Sequence, residues 1–177
     1  NTTPSGTRTL STSSPLGRID EEITRPTGSG SRATSSMAAA IEAIRALLNE
    51  NGIEFREIHH EPTRTSQQAA DARGEPIQIG GKAIVAKVDQ EFRVFVFSAA
   101  RLISSRAIRH HLGAKRFRFA SAEELKELTG LVPGCVPPFG RPILPLDLYV
   151  DTSIVANDRI AFNAGSLTDS IVMDRAS

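Results

Sequence analysis

A lysine and a loop rich in glycine and proline carry the clearest chemical signals in the sequence. Lys82 follows Gly80-Gly81 and opens the apolar run 83–85. A lysine at the head of a hydrophobic strand can direct its ammonium into a cleft, where it binds a carbonyl, phosphate or carboxylate oxygen. In the loop 129–140, proline stiffens the chain and glycine leaves backbone N–H groups bare, and such groups stabilise developing negative charge. The same residues also fit a structural role, in which Lys82 extends to solvent and the loop only turns a corner.

The familiar catalytic motifs are absent from the sequence. The chain contains no glycine-rich phosphate loop ending in Lys-Ser or Lys-Thr, no Gly-x-Ser-x-Gly elbow and no His-Glu-x-x-His. Its histidines form two adjacent pairs, His59-His60 and His110-His111, and adjacent side chains diverge on a strand or a helix. Cys135, the single cysteine, lacks the spaced partners of a zinc site, so it is either an exposed nucleophile or a small side chain tolerated in its loop. We therefore predict that the protein uses no metal and no organic cofactor.

A basic segment offers a surface for an anionic partner. The whole chain carries 21 basic and 20 acidic residues, so its overall charge does not indicate nucleic-acid binding. Between positions 101 and 118, however, there is no acid. The basic residues of this segment are Arg101, Arg106, Arg109, Lys115, Arg116 and Arg118, together with His110 and His111. Such a segment either holds nucleic-acid phosphates, with binding that falls steeply with salt, or is a solvated helix face.

Length and composition predict one soluble globular domain with a modest appendage. The chain has 177 residues, of which 40% are apolar, and it can bury a core without a disulfide or a structural metal. Residues 1–36 are dominated by Ser, Thr, Gly and Pro, so we predict a flexible leader there and a folded domain over 37–177, with Met37 able to serve as a natural start. No long apolar run or secretory signal is present, which favours the cytoplasm.

Hydrophobic periodicity predicts the elements that must position these residues. A helix is expected over 38–51, with Ser35 or Ser36 as its cap, and another from Thr65 to Gly74, where Thr65 and Gln68 form a capping box. Two more are expected from Ser104 or Ser105 to Gly113 and after Ser121, where Glu124 completes a capping box. Strands are expected over 53–58, 82–88, 92–98, 148–150, 159–162 and 170–173, and turns over 130–145. Because the strands and helices show no regular βαβ alternation, the order favours an α+β fold with a mixed or antiparallel sheet that can curl into a barrel.

From Met37 onward the chain resembles the YbaK and prolyl-tRNA-synthetase-associated editing domain family. The motifs that carry the resemblance, in order, are Gly52-Ile53, His60-Glu61-Pro62, Thr65 before Ala69-Ala70, Lys82, Thr129-Gly130, Gly134 through Pro138 with Gly140 after it, Val150-Asp151 and Asn163-Ala164-Gly165. The family hydrolyses amino acids wrongly attached to tRNA. The resemblance therefore implies a free-standing, trans-editing aminoacyl-tRNA deacylase built on a mixed, barrel-like sheet with surrounding helices.

The resemblance also implies catalytic residues. The family's characteristic lysine corresponds to Lys82, which would orient the aminoacyl or phosphate oxygens. Its Gly-x-x-x-Pro loop corresponds to Gly134 and Pro138, and the backbone N–H groups of Gly134, Cys135 and Val136 would contact the oxyanion or the terminal adenosine. Cys135 stands where many members have a second glycine, so it can narrow the pocket. The substrate's own ribose hydroxyl is the expected base for the attacking water.

Further positions are expected to bind the substrate around this centre. His60, Thr65 and Asp151 either line the amino-acid pocket or serve in packing and turns, with Asp151 a candidate for the substrate ammonium. Pro138 and Gly140 belong to the substrate-binding loop. The residues expected to bind tRNA are Arg106, Arg109, Lys115 and Arg116.

Three functions stay open at this point. In the first, the protein is a deacylase that acts on the acceptor end of aminoacyl-tRNA, with a synthetase as a second partner, and that binds neither membrane nor DNA. In the second, it is a non-catalytic module that holds tRNA or a synthetase through the same fold. In the third, it is a thiol enzyme that depends on Cys135. A substitution at Lys82 distinguishes the first from the second.

Overall fold

The computed structural model describes residues 37–174 of the chain. The predicted leader 1–36, and with it the helix cap expected at Ser35 or Ser36, lies outside the described residues. The helices are α1 (Met37–Glu50), α2 (Ser66–Arg73), α3 (Ser105–Leu112), α4 (Ala122–Thr129) and α5 (Thr152–Val155). The strands are β1 (Phe55–His59), β2 (Gly81–Val88), β3 (Glu91–Ser98), β4 (Phe117–Phe119), β5 (Asp147–Val150), β6 (Arg159–Asn163) and β7 (Asp169–Asp174). A 3₁₀ turn, Ile77–Ile79, precedes β2.

The strands form two sheets. One has the order β1-β7-β6 and the other the order β4-β2-β3-β5. All the pairs are antiparallel except β3 with β5, which run parallel, so the second sheet is mixed. A single bridge between Gly80 and Ala161 links the two sheets. The predicted α+β fold is confirmed, but because this link is one bridge, the sheets described for residues 37–174 form no closed barrel and "barrel-like" fits them only loosely.

The helix ends follow from local sequence. The Thr65 hydroxyl caps α2 by accepting a hydrogen bond from the N–H of Gln68. The Gln68 side chain accepts from the N–H of Arg64 rather than from that of Thr65, so the capping box predicted at Thr65 is only half formed. Ser121 and Glu124 form the complete reciprocal capping box that the sequence predicts. Short-range bonds of this kind satisfy the free N–H groups of a helix start, which is why they could be predicted without the fold.

The β2–β3 hairpin lies between two apolar clusters. Val94 and Val96 point into the main core between the sheets, where they join Leu48 of α1. Phe95, on the opposite face of β3, packs with Ile108 of α3 in the second cluster. Both faces of the hairpin are therefore covered, and the position of its first residues is fixed.

Two glycines at the start of β2 allow close packing around Lys82. A Cβ on Gly81 would lie 2.6 Å from Cδ1 of Ile160, and a Cβ on Gly80 would lie 2.9 Å from that of Ala99. Neither position has room for a side chain. On its outer edge β2 pairs with β4 only over 86–88, so its first residues are not covered by a strand there.

Among the helices of the described region, none is both long enough and apolar enough to cross a membrane.

Candidate active site

A cleft of about 400 Å³ lies where α2, the start of β2, the loop after α4 and the end of β6 meet. Its lining residues are Thr63, Arg64, Thr65, Ser66, Ala69, Arg73, Gly80, Gly81, Lys82, Ala83, Ile84, Ala99, Gly134, Val136, Asn163 and Leu167. The structure thus brings together four of the predicted site residues: Thr65, Lys82, Gly134 and Val136.

Lys82 lies at the cleft with an exposed side chain. It pairs with Phe97 across the hairpin, which sets the direction of its side chain. Its ammonium forms no hydrogen bond or ion pair with any residue between 37 and 174. The ammonium is therefore able to bind an oxygen atom of a ligand.

The loop beside Lys82 begins with a tight turn. The N–H of Cys135 donates to the carbonyl of Val132 at 3.1 Å, and Gly134 has a φ of 88°. Proline followed by a glycine of positive φ is the pattern of a type II turn. The carbonyl of Gly134 accepts from Nδ2 of Asn163 at 2.7 Å, which fastens the turn to β6.

Two residues of this loop that line the cleft, Gly134 and Val136, have backbone N–H groups without a partner in the described part of the chain. Groups of this kind bind an oxyanion when they are held in a rigid loop. The loop therefore adds two donors to the positive charge of Lys82.

Cys135 does not reach the cleft. Its side chain is completely buried in the main core, and burial raises the pKa of its thiol. A buried, protonated thiol is a poor nucleophile, so the structure contradicts the thiol-enzyme alternative. Its N–H donates to Val132 and is not free for an oxyanion.

The other predicted substrate-binding residues lie around the cleft rather than in its lining. Nε2 of His60 is 2.7 Å from Oγ of Ser170, behind the cleft. Asp151 accepts from the N–H of Ser153 at 2.9 Å and faces a second groove, on the side of α3. Pro138 is buried, and a Cβ on Gly140 would lie 2.9 Å from the carbonyl oxygen of Leu146. The last two residues therefore pack the loop against the chain leading into β5.

The structure adds a buried arginine that the sequence did not indicate. Arg73, in the last turn of α2, lines the cleft although it is only 8% exposed. Its Nε donates to Oγ of Ser170 at 2.9 Å, and its Nη2 donates to Oδ1 of Asn163 at 2.7 Å. Desolvation by burial lowers its pKa to about 10. In the sequence it is indistinguishable from an ordinary arginine at a helix C-terminus.

The electrostatic character of the cleft follows from its lining. Arg64, Arg73 and Lys82 contribute three cations, and no acidic residue is among the described lining residues. Low-dielectric walls focus a field of one sign on a bound ligand. The cleft therefore fits a ligand rich in anionic or carbonyl oxygens.

The residues predicted to bind tRNA lie on the surface beside α3. Arg106, Arg109, Lys115 and Arg116 are exposed, and none forms an ion pair with a residue in 37–174. In contrast, Arg118 is held by Glu124 at 2.7 Å.

Part of this surface is concave. A groove of about 970 Å³ runs along α3, and Arg101, Arg106, His110 and His111 are among its lining residues. The carboxylate of Asp89 accepts from the N–H groups of Lys115 and Arg116 and so fixes the turn after α3.

Comparison with known proteins identifies the class. Residues 60–176 match the family model of the aminoacyl-tRNA editing domain. The chain therefore belongs to the aminoacyl-tRNA editing domain family, which confirms the resemblance stated above.

Individual relatives are of two kinds. The chain is 34% identical to the multifunctional Ser/Thr-tRNA deacylase ProXp-y of Escherichia coli K12 over 141 residues, which cover 76% of this chain and 83% of that one. It is 32% identical over 136 residues to a proline–tRNA ligase of Shouchella clausii, covering 73% of this chain but only 24% of the ligase. A solved structure described as a candidate trans-editing enzyme for prolyl-tRNA synthetase superposes with a TM-score of 0.65 at 24% identity, over 77% of this chain and 87% of that one, which supports the fold.

Proposed function

We propose that this protein is a trans-editing aminoacyl-tRNA deacylase, which hydrolyses the ester between tRNA and a small, wrongly attached amino acid. The observation that carries the proposal is the cleft, whose lining includes Lys82, Gly134 and Val136; the ammonium of the first and the N–H groups of the other two have no partner among residues 37–174. The family and the deacylase relative support the same reaction.

The chemistry needs few groups because an aminoacyl ester is already activated. Water attacks the ester carbonyl carbon, and the carbonyl oxygen becomes an oxyanion that the N–H groups of Gly134 and Val136 stabilise. The neighbouring ribose hydroxyl of the substrate takes a proton from the water and passes its own proton to the ester oxygen of the ribose. The bond from the carbonyl carbon to that oxygen breaks as the oxygen is protonated, and the free amino acid and tRNA leave. Lys82 holds the aminoacyl or phosphate oxygens in place, which raises the rate by orientation.

The substrate class follows by comparison. The Escherichia coli relative is a Ser/Thr-tRNA deacylase, so seryl and threonyl esters are the first substrates to test. Both are small, as the cleft of about 400 Å³ requires if the terminal adenosine also enters it. Thr65 lines the cleft and offers a hydroxyl to a polar side chain of the substrate.

The tRNA body is bound by the surface beside α3. Arg106, Arg109, Lys115 and Arg116 would contact acceptor-stem phosphates because their charges are exposed and unpaired within the described residues. Each contact releases counterions, so binding weakens with salt. The reaction takes place in the cytoplasm, where aminoacyl-tRNA is made and used, and a synthetase is the second candidate partner.

One observation favours a second function, a non-catalytic module that holds tRNA or a synthetase. Cys135 replaces a glycine found in many family members, and its N–H is already used within the turn. The loop therefore offers the oxyanion two N–H groups rather than three.

A panel of charged tRNAs tests the proposal. The purified protein is mixed with tRNAs carrying serine, threonine, alanine, cysteine or proline, and the remaining ester is followed over time. We expect hydrolysis of seryl- or threonyl-tRNA well above the rate without enzyme. Salt-dependent binding of tRNA without hydrolysis of any ester would contradict the deacylase and support the binding module.

A further inference from the structure

Arg73 is a buried cation without a counter-ion among the described residues. It is 8% exposed, and no carboxylate of the described residues forms an ion pair with it. Isolated burial of a guanidinium is unfavourable, and the same desolvation depresses the pKa of Arg73 to about 10, so the group is still charged at neutral pH. Strongly perturbed groups of this kind, lying in a cleft, are typical of functional sites.

One nitrogen of this guanidinium is left for a ligand. Nε donates a hydrogen bond to Ser170, and Nη2 donates one to Asn163. Nη1 forms no hydrogen bond with a described residue, yet it is not among the side-chain atoms buried without a partner, so it is open to the cleft. It lies 3.9 Å from where a Cβ would stand on Gly80, which also lines the cleft.

The partners of Arg73 hold it in a fixed orientation. Nδ1 of His60 lies 2.8 Å from the Glu61 carbonyl, which can only accept, so in the neutral ring Nε2 accepts from the Ser170 hydroxyl at 2.7 Å. The oxygen of Ser170 then has its lone pairs free for Nε of Arg73. This chain of hydrogen bonds gives His60 a positioning role behind the cleft.

Asn163 couples the same guanidinium to the oxyanion loop. Its Oδ1 accepts from Arg73 and its Nδ2 donates to the carbonyl of Gly134, both at 2.7 Å. The free nitrogen of Arg73 and the N–H groups of the loop are therefore parts of one hydrogen-bonded frame built on α2, β6 and the turn. Preorganisation of this kind is what oxyanion stabilisation requires.

We propose that Nη1 of Arg73 binds the carbonyl oxygen of the substrate ester and stabilises the negative charge that develops on it during attack by water. This inference rests on the proposed function and assigns its main electrostatic group. Arg64 and Lys82 are exposed and suit the phosphate groups of the tRNA end, whereas Arg73 is buried and suits the reacting carbonyl.

The test is substitution combined with chemical rescue. Arg73→Ala removes the guanidinium and leaves a space of its shape, which free guanidinium ion at low millimolar concentration can occupy. On the ester that the wild type cleaves best, we expect kcat to fall about 10²- to 10³-fold with KM changed only a few-fold, as for removal of an oxyanion donor. Added guanidinium should restore kcat in proportion to its concentration, and a purely structural role would not produce this response.

Two further variants complete the test: a control at a surface arginine and a second substitution of Arg73. Arg45→Ala removes an arginine that is paired with Glu42 and Glu57 on the surface, outside the cleft, and we expect normal kcat and no response to guanidinium. If Arg73→Ala fails to fold, Arg73→Met fills much of the space with an apolar side chain that has no donors, and it should show the same decrease in kcat.

The outcomes distinguish failure of the role proposed for Arg73 from failure of the proposed deacylase function. A wild-type protein that cleaves esters, with Arg73→Ala or Arg73→Met retaining kcat, overturns the inference alone. A fall in kcat in Arg73→Ala without any rescue by guanidinium also overturns it and assigns Arg73 to structure. A wild type that cleaves no ester overturns the proposed function, and the role of Arg73 in it falls as well.

Discussion

At the scale of single residues, Gly134 shows how one backbone conformation sets the chemistry. Its φ of 88° belongs to the region that glycine alone adopts freely, and a Cβ there would lie 3.1 Å from Cδ2 of Leu167. Its carbonyl accepts from Nδ2 of Asn163, which holds the turn at the edge of the cleft. The residue acts through geometry, since it has no side chain to contribute.

Gly134→Ala should therefore lower both stability and activity. We expect the free energy of unfolding to fall by about 1–2 kcal/mol from backbone strain, measured by urea denaturation. Because an alanine relieves its strained φ by moving the turn, and with it the N–H groups at the cleft, kcat for ester hydrolysis should fall by at least tenfold. The matched control is Gly52→Ala, where φ is 65° and a Cβ meets nothing within 4 Å.

The Gly52→Ala control separates the effect of backbone strain on stability from the effect of a misplaced loop on kcat. Gly52 follows α1 and is far along the chain from the loop, so Gly52→Ala should be destabilised to a similar degree and retain kcat. Normal kcat in Gly134→Ala would show that the N–H groups of this turn do not contact the reacting atoms.

At the scale of elements, α4 links a helix cap to the basic surface. Glu124 closes the capping box with Ser121 and also receives two hydrogen bonds from Arg118, each at 2.7 Å. The hydrogen bonds from Arg118 are the largest cause of a lowered pKa, and the bond from the Ser121 N–H is the next. Together they lower the pKa of Glu124 to about 2 from an ordinary value of 4.5. The start of α4 and β4 are thereby held together.

This pKa predicts an acid-sensitive helix start. Because the pKa in the folded state lies below that of the unfolded chain, the contribution of Glu124 is complete above about pH 4.5 and disappears as the pH falls through about 2. Glu124→Gln should remove that part of the pH dependence of stability, while Glu123→Gln, one residue earlier, should retain it. Titration of the carboxyl carbons by NMR measures the pKa directly, and a midpoint for Glu124 near 4.5 would contradict the account.

The surface beside α3 makes a separate prediction about salt. Substituting Arg106, Arg109 and Arg116 together by alanine should raise the Kd for tRNA and leave kcat unchanged, since these side chains lie outside the cleft. The slope of log K against log salt should become shallower by about 0.7–0.9 for each phosphate that the variant no longer neutralises. Arg118→Ala is the control, because that side chain is already paired with Glu124. An unchanged slope in the triple variant would show that tRNA binds elsewhere.

How much the sequence predicts depends on the range of the interactions involved. The caps at Thr65 and Ser121 and the β2–β3 hairpin are set by neighbours in the chain, and the structure confirms them. Short elements such as β4 and α5 are not apparent, because tertiary packing rather than a periodic pattern stabilises them. Arg73 is the clearest omission: its bond to Ser170 joins residues 97 positions apart, and only the folded chain reveals it.

At the scale of the whole molecule, the cleft lies where the two sheets meet. The bridge between Gly80 and Ala161 brings the start of β2 to β6, and the two glycines before Lys82 leave no side chain between them. The loop after α4 then closes the remaining side through Asn163. The sheets, rather than any one motif, place the lysine, the loop and the buried arginine around one volume.

The most direct test of the central claim compares two lysines of the same strand. Lys82 lies at the cleft, whereas Lys87, near the other end of β2, packs over the ring of Phe92 outside it. We expect Lys82→Ala to lower kcat/KM for seryl- or threonyl-tRNA by about 10²-fold or more, as removal of a group that holds the substrate in place predicts, without lowering Tm. Lys87→Ala should retain kcat/KM. Equal activity of Lys82→Ala and wild type would show that this cleft is not where the ester is hydrolysed.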